Sequence, residues 1–143
     1  MKLFLDTSSL IKLYYKEEGT ERLDHIFAKY SVKEIFLSEI SITEFFSAIY
    51  KKVRTKDLSL QNADDILNSF VADKDKFTFI PVDTEIIMLS QKLLEKYGLR
   101  GLRALDAIQF ASVNSVRNVI GVAISDDKLL NSFLRAEAIK TSL

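Results

Sequence analysis

The sequence predicts an α/β fold in which helices cover both faces of a central, mainly parallel sheet. Three observations predict it. Short apolar runs alternate with amphipathic helical segments along the chain, the order expected when crossover helices connect parallel strands. The strand-like runs are almost continuously apolar, as strands covered on both faces are. Isolated acidic residues stand at or near the predicted junctions of these elements, the region beyond the strand ends where ligands of such sheets gather.

Leu3-Phe4-Leu5 reads as the first strand, followed by a helical segment from Ser8 to Tyr15 and, after the breaker Gly19, a helix from Thr20 to Tyr30. Ile35-Phe36-Leu37 is a short buried strand. The next segment sets Ile42, Phe45, Phe46, Ile49 and Val53 three and four residues apart, an amphipathic helix over about 40–54. A further helix over about 59–73 places Leu60, Ala63, Ile66, Leu67, Phe70 and Val71 on one face. Phe77 to Val82 reads as a strand whose Pro81 marks an end or an edge. Asp83 suits the N-cap of a helix reaching about Tyr97, with Gly98 as its stop. A helix over about 103–117, a strand over 120–124, a short helix over 126–134 and a last strand over 137–141 complete the expected order.

Composition bounds the chemistry. A chain of 143 residues with 48% hydrophobic content suits one domain, 1–143, with a sizeable core. The absence of Cys and the single His25 exclude disulfides, thiolate zinc sites and His-rich centres. Any bound metal is therefore held by oxygen. No apolar stretch approaches the ~20 residues that span a bilayer, and the N-terminal run is too short for a secretory signal, so a cytoplasmic protein with no membrane partner is expected. Twenty basic residues balance twenty acidic ones, which leaves no global positive field for a polyanion.

Asp6, Glu44, Asp106 and Asp127 are the candidate site acids. A carboxylate on a largely buried element is costly unless it is paired or bound to a cation, so convergence of the four implies metal. Each also has a structural explanation. Ser41-Ile42-Thr43-Glu44 has the form of a capping box. Ser125 suits an N-cap, with Asp126 and Asp127 as first-turn acids favoured by the helix dipole. Asp6 suits a cap of the following helix. Asp106 has the weakest such reading, because Ala104, Leu105, Ala107, Ile108 and Ala111 surround it.

Leu5-Asp6-Thr7-Ser8-Ser9-Leu10-Ile11-Lys12-Leu13-Tyr14 and Leu102-Arg103-Ala104-Leu105-Asp106-Ala107-Ile108-Gln109-Phe110-Ala111 resemble the two signature blocks of PIN-domain proteins, in particular the VapC-type ribonuclease toxins of toxin–antitoxin pairs. Ser38 to Phe45 resembles the middle block carrying the second acid, and Ser125-Asp126-Asp127-Lys128-Leu129-Leu130 the fourth. The resemblance covers nearly the whole chain with the blocks in order. It implies a three-layer α/β/α fold, a Mg²⁺- or Mn²⁺-dependent endoribonuclease acting on RNA, a VapB-like antitoxin partner and a homodimer.

Carried over by position, Asp6, Glu44 and Asp106 match the three central carboxylates, and Asp127 the fourth, with Asp126 as the alternate. Asp6 and Asp106 are then the principal metal ligands, Glu44 a shared ligand or an orienter of water, and Asp127 an outer or second-metal ligand. Ser8 and Ser125 are candidates to hydrogen-bond these acids. Without metal the acids are expected to repel one another and raise at least one pKa. Lys12, Arg100 and Arg103 are candidate RNA contacts. The cluster Lys51, Lys52, Arg54 and Lys56 reads either as phosphate contacts or as cations favoured at a helix C-terminus. Leu13, Tyr14, Phe45 and Phe46 are open to a partner-facing role instead of a core one.

Two other α/β classes fit less well. A response-regulator receiver needs a Lys after a fifth strand, which this chain lacks, and a haloacid-dehalogenase phosphatase begins with two Asp one residue apart, where this chain has Asp6-Thr7-Ser8. The standing alternatives are a PIN-fold RNA-processing nuclease outside any toxin–antitoxin pair, and a catalytically silent RNA- or protein-binding module.

Overall fold

β1 (Lys2–Leu5) alternates its side chains strictly across the sheet: Phe4 enters one core, Leu3 and Leu5 the other. A strand that is apolar in both directions must be covered on both sides, and this one is. The computed structural model describes residues 1–142. In it β1 pairs in parallel with β2 (Glu34–Ser38) on one side and β4 (Val122–Ile124) on the other, and β2 pairs in parallel with β3 (Thr78–Ile80). The sheet order is β3-β2-β1-β4.

Four helices precede β3: α1 (Thr7–Ile11), α2 (Thr20–Lys29), α3 (Ile40–Arg54) and α4 (Leu60–Ala72). Their apolar faces meet Leu3, Leu5, Leu37, Val122 and Ile124 through Leu10, Leu23, Phe45, Ile49, Leu67 and Phe70. The helices α5 (Thr84–Tyr97), α6 (Ala104–Ser115) and α7 (Lys128–Ala136) cover the opposite face. They pack Leu93, Tyr97, Phe110, Phe133 and Leu134 against Phe4, Phe36 and Ala123. The fold is the three-layer α/β/α arrangement that the alternating pattern predicts.

Connections from β1 to β2 and from β2 to β3 advance the sheet in one direction. The connection through α5 and α6 returns past both strands to place β4 beside β1. The topological switch point therefore lies between β1 and β4, and a crevice opens beyond their carboxyl ends. Asp6 directly follows β1, and Ser125, Asp126 and Asp127 directly follow β4.

Local expectations hold where the signal is chemical. Asp83 caps α5 by accepting from the Ile86 amide at 3.0 Å, Ser59 caps α4, and Pro81 follows the edge strand β3. Several expectations are corrected. The expected helix from Ser8 to Tyr15 ends at Ile11 and tightens into turns over Lys12 to Tyr14. Gly98 does cap α5 at Tyr97, but it is right-handed, and the left-handed residue is Gly101, φ 108°, after a short 3-10 turn. The capping box at Ser41 to Glu44 does not form, because α3 begins earlier, at Ile40. The expected strand over 137–141 is reduced to a single parallel bridge between Ala123 and Thr141. Phe45 is fully buried in an aromatic cluster with Tyr14 and Phe70 and does not face a partner.

Candidate active site

The end of β1 and the start of α1 place Asp6 at the switch point. Its backbone amide still completes the sheet ladder by donating to the Ile124 carbonyl at 3.1 Å, while its side chain caps α1 by accepting from the Ser9 amide at 2.9 Å. The Ser8 hydroxyl donates to the same carboxylate oxygen at 2.7 Å. Cap and site acid are thus one group. Burial pushes the Asp6 carboxyl above its ordinary range, against hydrogen bonds from Ser125, Ser8 and Ser9 that favour the charged form.

Asp127 plays the matching part at α7. Its carboxylate accepts from the amides of Leu129 at 2.9 Å and Leu130 at 3.0 Å, and its own amide donates to the Ser125 hydroxyl at 3.0 Å. The buried Ser125, held by a bond from Asn131 to its carbonyl, therefore stands between Asp6 and Asp127. Both serines named as candidates do contact the acids.

Glu44 reaches the cleft from the second turn of α3. Its Oε1 accepts from the Thr7 hydroxyl at 3.0 Å and from the Gln109 amide at 2.8 Å. The Gln109 amide also lies 2.9 Å from Ser41 Oγ and 3.1 Å from Thr7 Oγ1. Asp106 enters from the first turn of α6, where the positive helix end favours an anion. Burial raises its carboxyl above the ordinary range, the negative charges of Asp127, Glu44 and Asp6 raise it further, and Arg103 opposes them. Asp106 thus feels the charge of the other three acids.

Asp6, Thr7, Ser8, Glu44, Asp106, Gln109 and Asp127 line one open cleft of about 150 Å³. Asp126 lies outside it. Its carboxylate pairs with Lys12 and Arg22 and lines a neighbouring depression with Glu18, Gly19 and Lys128. Among the described residues, no three acids close into a ready-made metal cage. The donors that face the cleft are oxygens on hard carboxylates, a set suited to a hydrated Mg²⁺-type ion and unsuited to a soft metal.

Lys12, expected at the RNA, is instead withdrawn from solvent. Only 8% of the residue is exposed, and its ammonium is bonded to the Ser8 carbonyl, Glu17 and Asp126. Burial alone lowers its pKa, but the bonds to Asp126 and Glu17 outweigh burial and hold it above the ordinary lysine range. Arg100 lies over the rings of Tyr97 and Phe133, and Arg103 is exposed immediately before α6. Lys52 in the 51–56 cluster pairs with Glu17 and sits 4.4 Å from the Tyr15 ring centre. Thr7, Ser41, Arg22 and Glu17 were not singled out by sequence. The available signal was a polar residue on an otherwise buried helix face, as with Ser41 and Gln109.

The fold has counterparts among solved structures. The sarcin-ricin loop cleaving toxin VapC20 of Mycobacterium tuberculosis superposes with a TM-score of 0.70 at 15% identity, covering 92% of this chain and 94% of that one. FitAcB from Neisseria gonorrhoeae gives 0.70 at 14% identity, covering 97% and 95%. VapBC-1 from nontypeable Haemophilus influenzae gives 0.63 at 15% identity, covering 99% and 97%. No curated protein matches this chain in sequence. No helix among the described residues is long and apolar enough to cross a membrane. Residues 3–130 match the family model of the PIN domain, a span that contains all four acids, and the chain belongs to the PIN domain family.

Proposed function

We propose that this protein is a divalent-metal-dependent endoribonuclease and the toxin of a VapBC-type toxin–antitoxin pair. The observation that carries the reading is the single cleft at the switch point lined by Asp6, Glu44, Asp106 and Asp127 in a PIN-family chain. Asp6 and Asp106 are the principal ligands for Mg²⁺ or Mn²⁺, Glu44 a shared ligand or water orienter, and Asp127 an outer ligand. Such an ion takes about six oxygens and keeps several waters, which suits acids gathered around an open cleft instead of a closed cage.

When bound, the ion supplies a water of lowered pKa and neutralises charge on the phosphodiester. The chain's residues do the rest. Thr7 and Gln109 hold Oε1 of Glu44, whose other oxygen accepts no hydrogen bond among the described residues. Glu44 is thereby oriented to take a proton from an attacking water. Ser8 and Ser125 donate to Asp6 and favour the charged form that a cation requires, against the burial that raises its carboxyl. Arg103, whose charge already reaches Asp106, is suited to a phosphate of the RNA, with Arg100 on the preceding turn as a second contact.

Complexes such as VapBC-1 and FitAcB among the structural neighbours support a VapB-like antitoxin as the protein partner. A homodimer acting in the cytoplasm completes the proposal. Induced expression tests it in cells: the wild-type chain halts growth, Asp106→Asn does not, and a small DNA-binding protein from a neighbouring reading frame restores growth. Accumulation of wild-type protein without any slowing of growth would remove the toxin reading.

A further inference from the structure

Lys12 sits where the two acid-bearing loops meet. Its Nζ donates to the Ser8 carbonyl at 3.1 Å, one residue from Thr7 and two from Asp6, and pairs with Asp126 Oδ2 at 2.5 Å, one residue before Asp127. The same ammonium pairs with Glu17 Oε1 at 3.2 Å. Arg22 from α2 takes the other oxygen of Asp126, and Lys52 from α3 takes the other oxygen of Glu17 at 3.1 Å. A second bond runs parallel to the ammonium, from the Asp126 amide to the Ser8 hydroxyl at 3.4 Å.

The surrounding backbone is shaped to admit this pair. Gly19 has φ +91°, and a Cβ there would fall 2.8 Å from Lys12 Cε and 3.1 Å from Asp126 Oδ2. Only glycine fits both the conformation and the close approach. A lysine side chain with 6% exposure costs desolvation and side-chain entropy, and an apolar residue would serve packing as well or better. The ammonium is therefore spent on geometry.

We infer that Lys12 is a positioning residue: by clamping Asp126 to the start of α1, it fixes the β4–α7 loop and so sets Asp127 against Asp6 across the cleft. The inference rests on the proposed metal-binding role of Asp6 and Asp127 for its consequence, and on the loop itself for its direct readout. Lys12 touches neither substrate nor metal.

The test uses full-length Lys12→Met, the charge-balanced Lys12→Met/Asp126→Asn, and Lys12→Cys alkylated with 2-bromoethylamine before refolding. The last restores an ammonium at nearly the original length, selectively, because the chain has no other cysteine. Amide hydrogen exchange is followed over 125–130, with β2 and β3 as internal references, and Mn²⁺ affinity is measured by calorimetry.

In both charge-removing proteins, exchange over 125–130 accelerates about tenfold while β2 and β3 stay unchanged, and Mn²⁺ binds about tenfold more weakly. The alkylated protein recovers both. Unchanged exchange over 125–130 overturns the inference, as does acceleration spread equally over β2 and β3, the result of a merely structural lysine. If Lys12→Met does not fold, the double variant and the alkylated protein decide. If the wild type binds no Mn²⁺, the proposed function fails, and the exchange arm still decides the role of Lys12.

Discussion

The Gln109 amide nitrogen lies 2.8 Å from Oε1 of Glu44, joining α6 to α3 across the floor of the cleft. Its orientation is dictated by charge. Exchanging the amide oxygen and nitrogen would set one acceptor oxygen against another. The chosen orientation leaves the buried Gln109 Oε1 without a partner among the described residues, where an unmade bond costs on the order of 1–3 kcal/mol.

Gln109→Leu therefore separates stability from function. Removing the unsatisfied oxygen offsets the lost bonds, so the melting temperature stays within about 3 °C of wild type, the scale of ~1 kcal/mol in a domain of this size. RNA cleavage slows by roughly 10–100-fold, the usual consequence of removing a residue that orients a metal-site ligand. Melting curves and single-turnover cleavage check the pair of outcomes. A large fall in melting temperature with normal cleavage would show that Gln109 serves the core instead.

The site acids make stability depend on pH. An acid whose folded pKa is raised contributes stability that is complete below the ordinary carboxylate range and is lost as pH rises through the raised value. Asp6 and Asp106 are both raised. In EDTA, Asp106→Asn should melt above wild type at pH 7.5 by on the order of 3 °C, and the advantage should shrink toward pH 4. A difference constant across pH 4–8 would argue against charge as its cause. Glu34, Asp73 and Glu137 are lowered by Lys2, Lys76 and Lys96 respectively, so their contributions fade in acid in both proteins and cancel in the comparison.

Neighbouring aspartates should fail differently. Asp127→Asn keeps an effective helix cap, because Asn serves about as well as Asp, and it loses metal affinity without losing stability. Asp126→Asn strands the buried Lys12 with one acid fewer and destabilises the fold by about 1–3 kcal/mol, below the cost of breaking a fully buried pair because Asp126 is partly exposed. Urea unfolding with Mn²⁺ titration distinguishes the two.

Phe45→Ala should cost about 3–5 kcal/mol, since Phe45 is wholly enclosed and packs 4.3 Å from Phe70, centre to centre. Urea unfolding of the full-length chain measures it. A loss below about 1 kcal/mol would return Phe45 to a partner-facing role.

Much of this was legible in the residues. Helices whose apolar periodicity was clear, such as α3 and α4, fall where the spacing put them. Strand register, and the choice of face for each helix, depend on long-range packing that spacing does not encode. The same limit explains the site. Asp6, Glu44, Asp106 and Asp127 stood out as charges among apolar residues, but Thr7, Ser41 and Gln109 matter through partners 34 to 102 residues away. Lys12 shows the opposite limit: a lysine beside a site acid reads as a phosphate contact, and the three protein oxygens around it do not show in the spacing.

The central claim is that the four acids form a metal-dependent nuclease centre. Cleavage of a mixed pool of structured RNAs by the purified protein, in Mg²⁺, Mn²⁺ or EDTA, with Asp6→Asn and Asp106→Asn alongside, tests it directly. The account predicts cutting in either metal, none in EDTA, and loss of at least about 100-fold in both variants. Cutting that survives EDTA or either substitution would contradict it, as would a wild-type protein that neither cuts nor gains thermal stability from the metals.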